Sequence, residues 1–323
     1  MKNDETKKNF LLIAGAKASG KGLIRGVLDG HQQLFVSPYH ELIFQSFYIK
    51  ESNTEKTYDL ESARNALASK GRYYQLERLS YEQKMNTHIA AGLEDKGIDI
   101  DFDFYAFDKS WAQNLMLKNN LFTPNEICLE IYDSFHEHLK SKYLLNSSSI
   151  NYFCALSGDS YDSIPLFLET YTNAKIIYIK RDPIEIISSI LGRQPSPFNS
   201  RFKKFPRDKL INIYCSYEFI NSIVRFDIEA QKVIKESPSK ILSLDFHTFF
   251  ENRIAEIANI SNFLKIENNS ILDNYSSVGC AMLQSDGSSL LRSPIDKGYE
   301  NLTRSEIEKI QIHIENITNE FGQ

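Results

Sequence analysis

Closely spaced cysteines are absent from this chain. Its four cysteines stand alone, and no two of them form a C-x-x-C pair: Cys128, Cys154, Cys215 and Cys280. Zinc ribbons and thioredoxin-type redox sites need such pairs, so the sequence excludes both kinds of site. Isolated cysteines are typical of reduced and mostly buried thiols, which favours a cytoplasmic location.

Long hydrophobic runs are absent as well. The apolar run near the start, residues 10–14, has only five residues, which is shorter than the core of a signal peptide. No stretch approaches the roughly 18 apolar residues of a membrane span. We therefore expect no transmembrane segment, although peripheral contact with a membrane surface stays open.

The chain also lacks an excess of positive charge. Lys plus Arg number 37 and Asp plus Glu number 42, so the formal net charge is −5. A globally acidic chain is a poor non-specific binder of nucleic acid, and we expect no nucleic-acid partner. Any site for an anion must therefore be a local one.

Short apolar runs alternate with helical patterns along most of the 323 residues. We expect strands at residues 10–14, 34–37, 151–156, 175–179 and 240–244. The second of these strands should end at Pro38. The alternation predicts an α/β fold with a P-loop-type parallel β-sheet flanked by helices. We expect one domain over residues 1–323, in which the polar, valine-free residues 50–150 form a largely helical insertion or cap.

A glycine-bearing loop separates the first strand from the first helix. Gly15, Gly20 and Lys21 match the phosphate-binding pattern G-x-x-x-x-G-K-[ST], whose backbone N–H groups and lysine cradle an anion. Gly22 stands where that pattern needs a hydroxyl for Mg²⁺, which predicts an anion site that works without a metal. The predicted binding residues are Lys17, Ala18, Ser19, Gly20, Lys21, Gly22 and Leu23.

A second candidate anion site follows the strand at residues 175–179. Arg181 stands at the carboxyl end of this strand, where ligands bind in open parallel sheets. Ser189 comes eight residues later on the next helix, a little over two turns away and on roughly the same side. A guanidinium and a hydroxyl together suit a phosphate, so a ligand with two phosphates could bridge both sites.

Three blocks together resemble the sulfotransferase family of bacterial type. Residues 10–15, 19–21 and 27–31 resemble its 5′-phosphosulfate loop, and residues 174–183 with Ser189 resemble its 3′-phosphate strand and helix. Residues 278–279, 285–289 and 301–306 resemble its late loop and closing helix.

The resemblance implies a sulfotransferase-like α/β domain that binds 3′-phosphoadenosine 5′-phosphosulfate (PAPS). It adds Ser288 and Arg292 to the donor-binding residues. It implies transfer of a sulfuryl group to a hydroxyl or amine, with Lys21 neutralising the leaving phosphate. Several branches of the family place a base just after the second strand, so Glu41 is the first candidate base and His40 the second.

The acceptor that the resemblance implies is a small molecule or glycan, with a carbohydrate or glycolipid favoured. The aromatic residues of the insertion either line an acceptor wall or, for most of them, form the core of the cap. They are Tyr73, Tyr74, Tyr81, Phe102, Phe104, Tyr105, Phe107 and Trp111. Two other functions stay open: a P-loop kinase of a small molecule, and a non-catalytic binding protein with this fold.

Overall fold

The structure is a computed structural model. It describes residues 8–40, 42–48, 57–69, 84–85, 98–99, 102–139, 150–158, 160–171, 173–192, 205–268, 276–277, 280–281 and 298–322.

Strands and helices alternate along the described chain. The strands are β1 (Asn9–Ala14), β2 (Leu34–His40), β3 (Lys84–Met85), β4 (Ile98–Asp99), β5 (Tyr152–Leu156), β6 (Lys175–Lys180), β7 (Ile241–Asp245), β8 (Ser276–Ser277) and β9 (Cys280–Ala281). The helices are α1 (Lys21–Leu28), α2 (Leu42–Gln45), α3 (Leu60–Ser69), α4 (Phe104–Lys118), α5 (Pro124–His138), α6 (Ser163–Thr170), α7 (Pro183–Leu191), α8 (Arg207–Tyr214), α9 (Tyr217–Glu236), α10 (Phe246–Glu251), α11 (Arg253–Leu264) and α12 (Arg304–Phe321).

A five-stranded parallel sheet forms the centre of the fold, in the order β2-β5-β1-β6-β7. Strand β1 lies in the middle and is hydrogen-bonded to β5 on one side and β6 on the other. Its residues 10–14 are all buried, which explains why the run is apolar without alternation. The predicted α/β fold with a parallel sheet flanked by helices is confirmed. All five strands end at one edge, so the loops after β1, β5 and β6 are neighbours.

Strand β2 is longer than the sequence predicts, because it continues through Pro38 to His40. The ladder to β5 pairs Val36 with Cys154 and then His40 with Leu156, so β2 carries extra residues between these two pairs. Proline has no N–H to give to a ladder, but an edge strand with a bulge accommodates it. Since β2 is an edge strand of the sheet, Pro38 does not end it.

The described part of the insertion is mainly helical. Helices α4 and α5 pack on each other, and α5 lays Tyr132 against Phe153 of β5, with ring centroids 5.6 Å apart. Of the aromatic residues that sequence analysis singled out, four are buried and Tyr105 is 60% exposed. The buried four are Phe102, Phe104, Phe107 and Trp111. These four form core, as expected for most of the group, whereas Tyr73, Tyr74 and Tyr81 lie outside the described residues.

Three of the four thiols are buried, as the isolated cysteines predict. Cys128, Cys154 and Cys215 are buried and form no disulfide, and burial raises the pKa of each thiol. Among the helices that the structure describes, none is both long enough and apolar enough to cross a bilayer.

The start of α12 is held by a capping box and by an ion pair. Thr303 accepts a hydrogen bond from the N–H of Glu306, and Glu306 accepts one from the N–H of Thr303. The guanidinium of Arg207 donates to both carboxylate oxygens of Glu306, at 2.8 and 3.0 Å. Arg207 also donates to the carbonyl of Asn301, so one side chain ties α8 to the segment before α12.

We predict that Glu306→Gln destabilises the protein at neutral pH and not in acid. The hydrogen bonds from Arg207 lower the pKa of Glu306 to about 2. A carboxylate with a lowered pKa adds stability above its unfolded pKa of about 4.3 and loses it as the pH falls toward the folded value. Glutamine keeps the capping box, so the loss at pH 7 is about 1 kcal/mol, the upper end for partly exposed pairs.

Urea unfolding at pH 7, 5, 3 and 2.5 measures this difference, because the contribution is lost only between the unfolded pKa of about 4.3 and the folded pKa of about 2, with Glu308→Gln as the control. Glu308 also pairs with an arginine, Arg304, but that pair is exposed. A gap between Glu306→Gln and the parent that stays constant with falling pH would show that the ionised carboxylate is not what stabilises this contact.

Candidate active site

The loop between β1 and α1 turns through two residues in the left-handed conformation. Ala18 has φ of 61° and Gly20 has φ of 103°. The N–H of Ser19 donates to Ala16 O at 3.1 Å, and the N–H of Leu23 donates to Gly20 O at 2.8 Å. A tight turn of this kind at a helix N-terminus presents backbone N–H groups to an anion.

The hydroxyl of Ser19 lies inside this loop. Ser19 is fully buried, and its Oγ has no hydrogen-bond partner within the described part of the chain. A β-carbon at Gly15 would lie 2.4 Å from this Oγ, so the glycine makes room for the hydroxyl. Buried hydroxyls are almost always hydrogen-bonded, and an unpartnered one beside a helix N-terminus suits an anion as its partner.

Lys21 joins the ends of two neighbouring strands. Its Nζ donates to Gly15 O at 3.0 Å and to Gly158 O at 3.1 Å. Gly15 follows β1 and Gly158 follows β5, so the ammonium lies between the carboxyl ends of these two strands. The lysine is 6% exposed, and the two carbonyls supply the polar partners that a buried cation requires.

The other residues predicted for the loop lie in the turn itself or at the start of α1. Lys17 is half-buried in the turn, and Gly22 and Leu23 are in the first turn of α1. Gly22 is half-buried and brings no hydroxyl to the position that holds Mg²⁺ in the nucleotide-binding pattern.

Arg181 reaches from the end of β6 to the glycine loop. Its Nη1 donates to Ala18 O at 3.2 Å. Its guanidinium carbon lies 4.0 Å from the centre of the Phe246 ring, and its side chain is 10% exposed. The structure thus brings Arg181 into contact with the glycine loop, which the sequence predicts as two separate candidate anion sites.

The contact from α7 to Arg181 comes from Glu185. The Nε of Arg181 donates to Glu185 Oε2 at 3.5 Å. Ser189 is half-buried on the same face of α7, one turn beyond Glu185. Its role toward a phosphate stays a prediction.

Phe246 packs against both parts of the site. A β-carbon at Gly20 would lie 2.4 Å from Cε2 of this ring, which is itself only 2% exposed. The same ring carries the Arg181 guanidinium on its face. Because β7 ends at the same sheet edge as β6, the residue that follows it reaches the loop.

The residues predicted as base and late loop are only partly described. His40 is the last residue of β2, and its backbone pairs with Leu156 at the end of β5. Glu41, Ser288 and Arg292 lie outside the described residues, and their roles stay predictions.

Comparison with known proteins gives distant similarities to solved structures. No family model matches the sequence, and no curated protein matches it. A sulfotransferase domain from the curacin biosynthetic pathway is 12% identical over 98% of both chains, with a TM-score of 0.48. One from the Synechococcus olefin synthase is 15% identical over 100% of this chain and 98% of that chain, with a TM-score of 0.48.

A third similar structure is a sulfotransferase from Mycobacterium tuberculosis. It is 10% identical over 96% of this chain and 77% of that chain, with a TM-score of 0.43. Similarities this distant assign no residue and no substrate, so the roles of the side chains rest on the geometry described above.

Sequence reasoning missed several groups that the structure places at this edge. Gly158 supplies a carbonyl to Lys21, and the neighbouring Ser157 is fully buried with no partner for its Oγ within the described residues. Arg181 contacts the carboxylate of Glu185 and the ring of Phe246. His247 contacts Glu185 in turn. Their position after β5, β6 or β7 is the one signal in the sequence that could have found them.

We predict that Gly20→Ala destabilises the fold by about 1–3 kcal/mol, the usual cost of a strained backbone at a non-glycine residue. The residue has a φ of 103°, and its new β-carbon would meet the Phe246 ring. Thermal unfolding followed by circular dichroism measures the loss. Gly298→Ala is the control, because a β-carbon there meets nothing within 4 Å. Equal melting temperatures for the two variants would show that the loop does not need the left-handed turn.

Proposed function

We propose that this protein is a sulfotransferase that takes a sulfuryl group from PAPS and transfers it to a hydroxyl or amine. The observation that carries the proposal is the hydrogen bond from Arg181 Nη1 to Ala18 O, at 3.2 Å. It holds a cation from the end of β6 directly beside the turn after β1, which we propose as the anion site. One ligand with two phosphate groups can therefore contact both.

The spacing of the two cations supports a ligand with two anionic groups. Lys21 lies at the boundary between β1 and β5, and Arg181 extends from the end of β6 on the other side of β1. Neighbouring strands lie about 4.8 Å apart, so the boundary between β1 and β5 is roughly one and a half strand spacings, or about 7 Å, from β6. The start of the loop packs against β6, since a β-carbon at Gly15 would lie 3.0 Å from Ile179 O.

The residue after Lys21 supports transfer without a metal. Nucleotide kinases with a P-loop hold Mg²⁺ by a Ser or Thr hydroxyl at this position, and here Gly22 has none. The negative charge that develops on the leaving phosphate must then be stabilised by hydrogen-bond donors of the protein itself. Lys21 and the N–H groups at the start of α1 suit that role.

The chemistry of PAPS is the transfer of a sulfuryl group whose sulfur–oxygen bond to the 5′-phosphate breaks as the acceptor atom bonds to sulfur. Lys21 would stabilise the phosphate that leaves. Arg181, with Ser189, would hold the 3′-phosphate. A base must take the acceptor proton, and we assign Glu41 first and His40 second.

The acceptor class rests on the family resemblance alone. We propose a carbohydrate, glycolipid or other small molecule with a free hydroxyl or amine. The buried aromatic residues of α4 pack in the core, so an acceptor must use other surfaces.

We predict that adenosine 3′,5′-bisphosphate stabilises the protein in the presence of EDTA, whereas ATP with Mg²⁺ does not. A ligand at 100 times its Kd raises the free energy of unfolding by about 2.7 kcal/mol. Arg181→Ala should weaken bisphosphate binding about tenfold or more, since a hydrogen bond to a charged group contributes roughly 1.5 kcal/mol at least.

Thermal shift and calorimetric titration measure both effects, with Arg304→Ala as the control. Arg304 also lies four residues before a glutamate partner, but its side chain is 94% exposed. Stabilisation by ATP that requires Mg²⁺ would favour the kinase instead. Bisphosphate binding without turnover of any acceptor would favour a binding protein.

We predict that Glu41→Gln slows transfer at least a hundredfold while bisphosphate binding stays near normal. Loss of a general base costs about 10²–10⁴-fold in rate, and glutamine keeps the shape of the side chain while removing its basicity. Transfer from labelled PAPS gives the rate, and titration gives the affinity. Normal turnover in this variant, together with an inactive His40→Ala, would assign the base to His40. Normal turnover in both variants would refute the assignment of the base to this strand end.

A further inference from the structure

The guanidinium of Arg181 is held from three sides. The Phe246 ring lies under it at 4.0 Å, Ala18 O accepts from Nη1 at 3.2 Å, and Glu185 Oε2 accepts from Nε at 3.5 Å. Because arginine side chains are long and flexible, a guanidinium that binds a phosphate through two N–H groups must be held in one orientation. Two of these three groups, the ring and the carboxylate, are side chains that mutation can change.

Glu185 is itself held by His247. The same oxygen, Glu185 Oε2, accepts a hydrogen bond from His247 Nε2 at 2.6 Å. The carboxylate side chain is 15% exposed and the histidine side chain 32% exposed, so the pair sits at the rim of the site. The contact connects α10 to α7 across the ends of β7 and β6.

Glu185 and His247 each lie in the first turn of a helix that an aspartate caps. Asp182 caps α7 by accepting from the N–H groups of Ile184 and Glu185. Asp245 caps α10 in the same way, with the N–H of His247 among its donors at 3.0 Å. Two aspartate caps at the ends of two adjacent parallel strands thus fix the backbone positions of Glu185 and His247.

We propose that Glu185 and His247 are positioning residues for Arg181 and set the preference for a nucleotide that carries a 3′-phosphate. This rests on the proposed function, in which Arg181 binds that phosphate. Neither residue needs to touch the donor. Glu185 orients the guanidinium through Nε, and His247 keeps the carboxylate in place.

The charge of Glu185 and its contact with Arg181 have opposite effects on the affinity for a phosphate. A carboxylate near a bound phosphate repels it, so removal of the charge alone would tighten binding. Removal of the contact would release Arg181 and weaken binding, because the free side chain must then be ordered when the ligand binds. A comparison of glutamine with alanine at this position separates the two effects, since glutamine keeps an oxygen that accepts from Arg181.

The test is the ratio of Kd values for adenosine 5′-monophosphate and adenosine 3′,5′-bisphosphate, measured by calorimetric titration. In Glu185→Ala we expect bisphosphate binding to weaken about tenfold, a usual size of coupling between residues in one network. Monophosphate binding should change less than about twofold. Glu185→Gln should keep the parental ratio within about threefold.

His247 provides a second and independent comparison. We expect His247→Ala to lower the ratio in the same direction, and His247→Gln to restore it, because the glutamine amide can donate to the carboxylate. The double variant with Glu185→Ala and His247→Ala should be no worse than Glu185→Ala alone, since both act through one contact. If Glu185→Ala does not fold, the two His247 variants decide the question.

Each remaining outcome is informative. A parent that does not prefer the bisphosphate refutes the proposed function, whatever the variants do. A parent that prefers it, with variants at the parental ratio, refutes the positioning role alone. Tighter bisphosphate binding in both Glu185 variants would show that the carboxylate only opposes the ligand. Glu308→Ala is the control for loss of an Arg–Glu pair four residues apart, because its pair with Arg304 is exposed.

Discussion

The buried ammonium of Lys21 is the contact on which the rest of the site depends. It donates to the carbonyls of Gly15 and Gly158, which follow two neighbouring strands. Those carbonyls lie beyond the ends of β1 and β5, and the cation donates a hydrogen bond to each of them. The same cation lies beside the turn with Ser19. One side chain therefore connects the ends of two strands and supplies positive charge where we propose that an anion binds.

Phe246 is the second organising contact, because it connects β7 to both halves of the site. Its ring lies against Gly20, where a side chain would collide with it, and under the guanidinium of Arg181. The turn and the arginine are thus packed on one aromatic surface. A ligand that contacts both would meet groups already held in place, so it would cost less to order them on binding.

Apolar runs in the sequence were enough to predict the strands of the central sheet except the end of β2. Residues buried on both faces have to be apolar, so β1 and β6 were predicted to within a residue or two. The edge strand β2 was predicted too short, because Pro38 ends a central strand but not a bulged edge strand. After β7 the chain forms two helices, α10 and α11, with a break at Asn252.

The sequence by itself determined the parallel α/β fold, the turn with Ser19 between β1 and α1, and the position of Arg181 at a strand end. Local patterns carry these features, because a buried strand, a glycine turn and a helix start each depend on a few consecutive residues. Only the tertiary structure decided that Arg181 donates to Ala18, that Gly158 accepts from Lys21, and that Glu185 of α7 accepts from the arginine. These contacts join residues far apart in the chain, and they exist because parallel strands bring all their carboxyl ends to one edge.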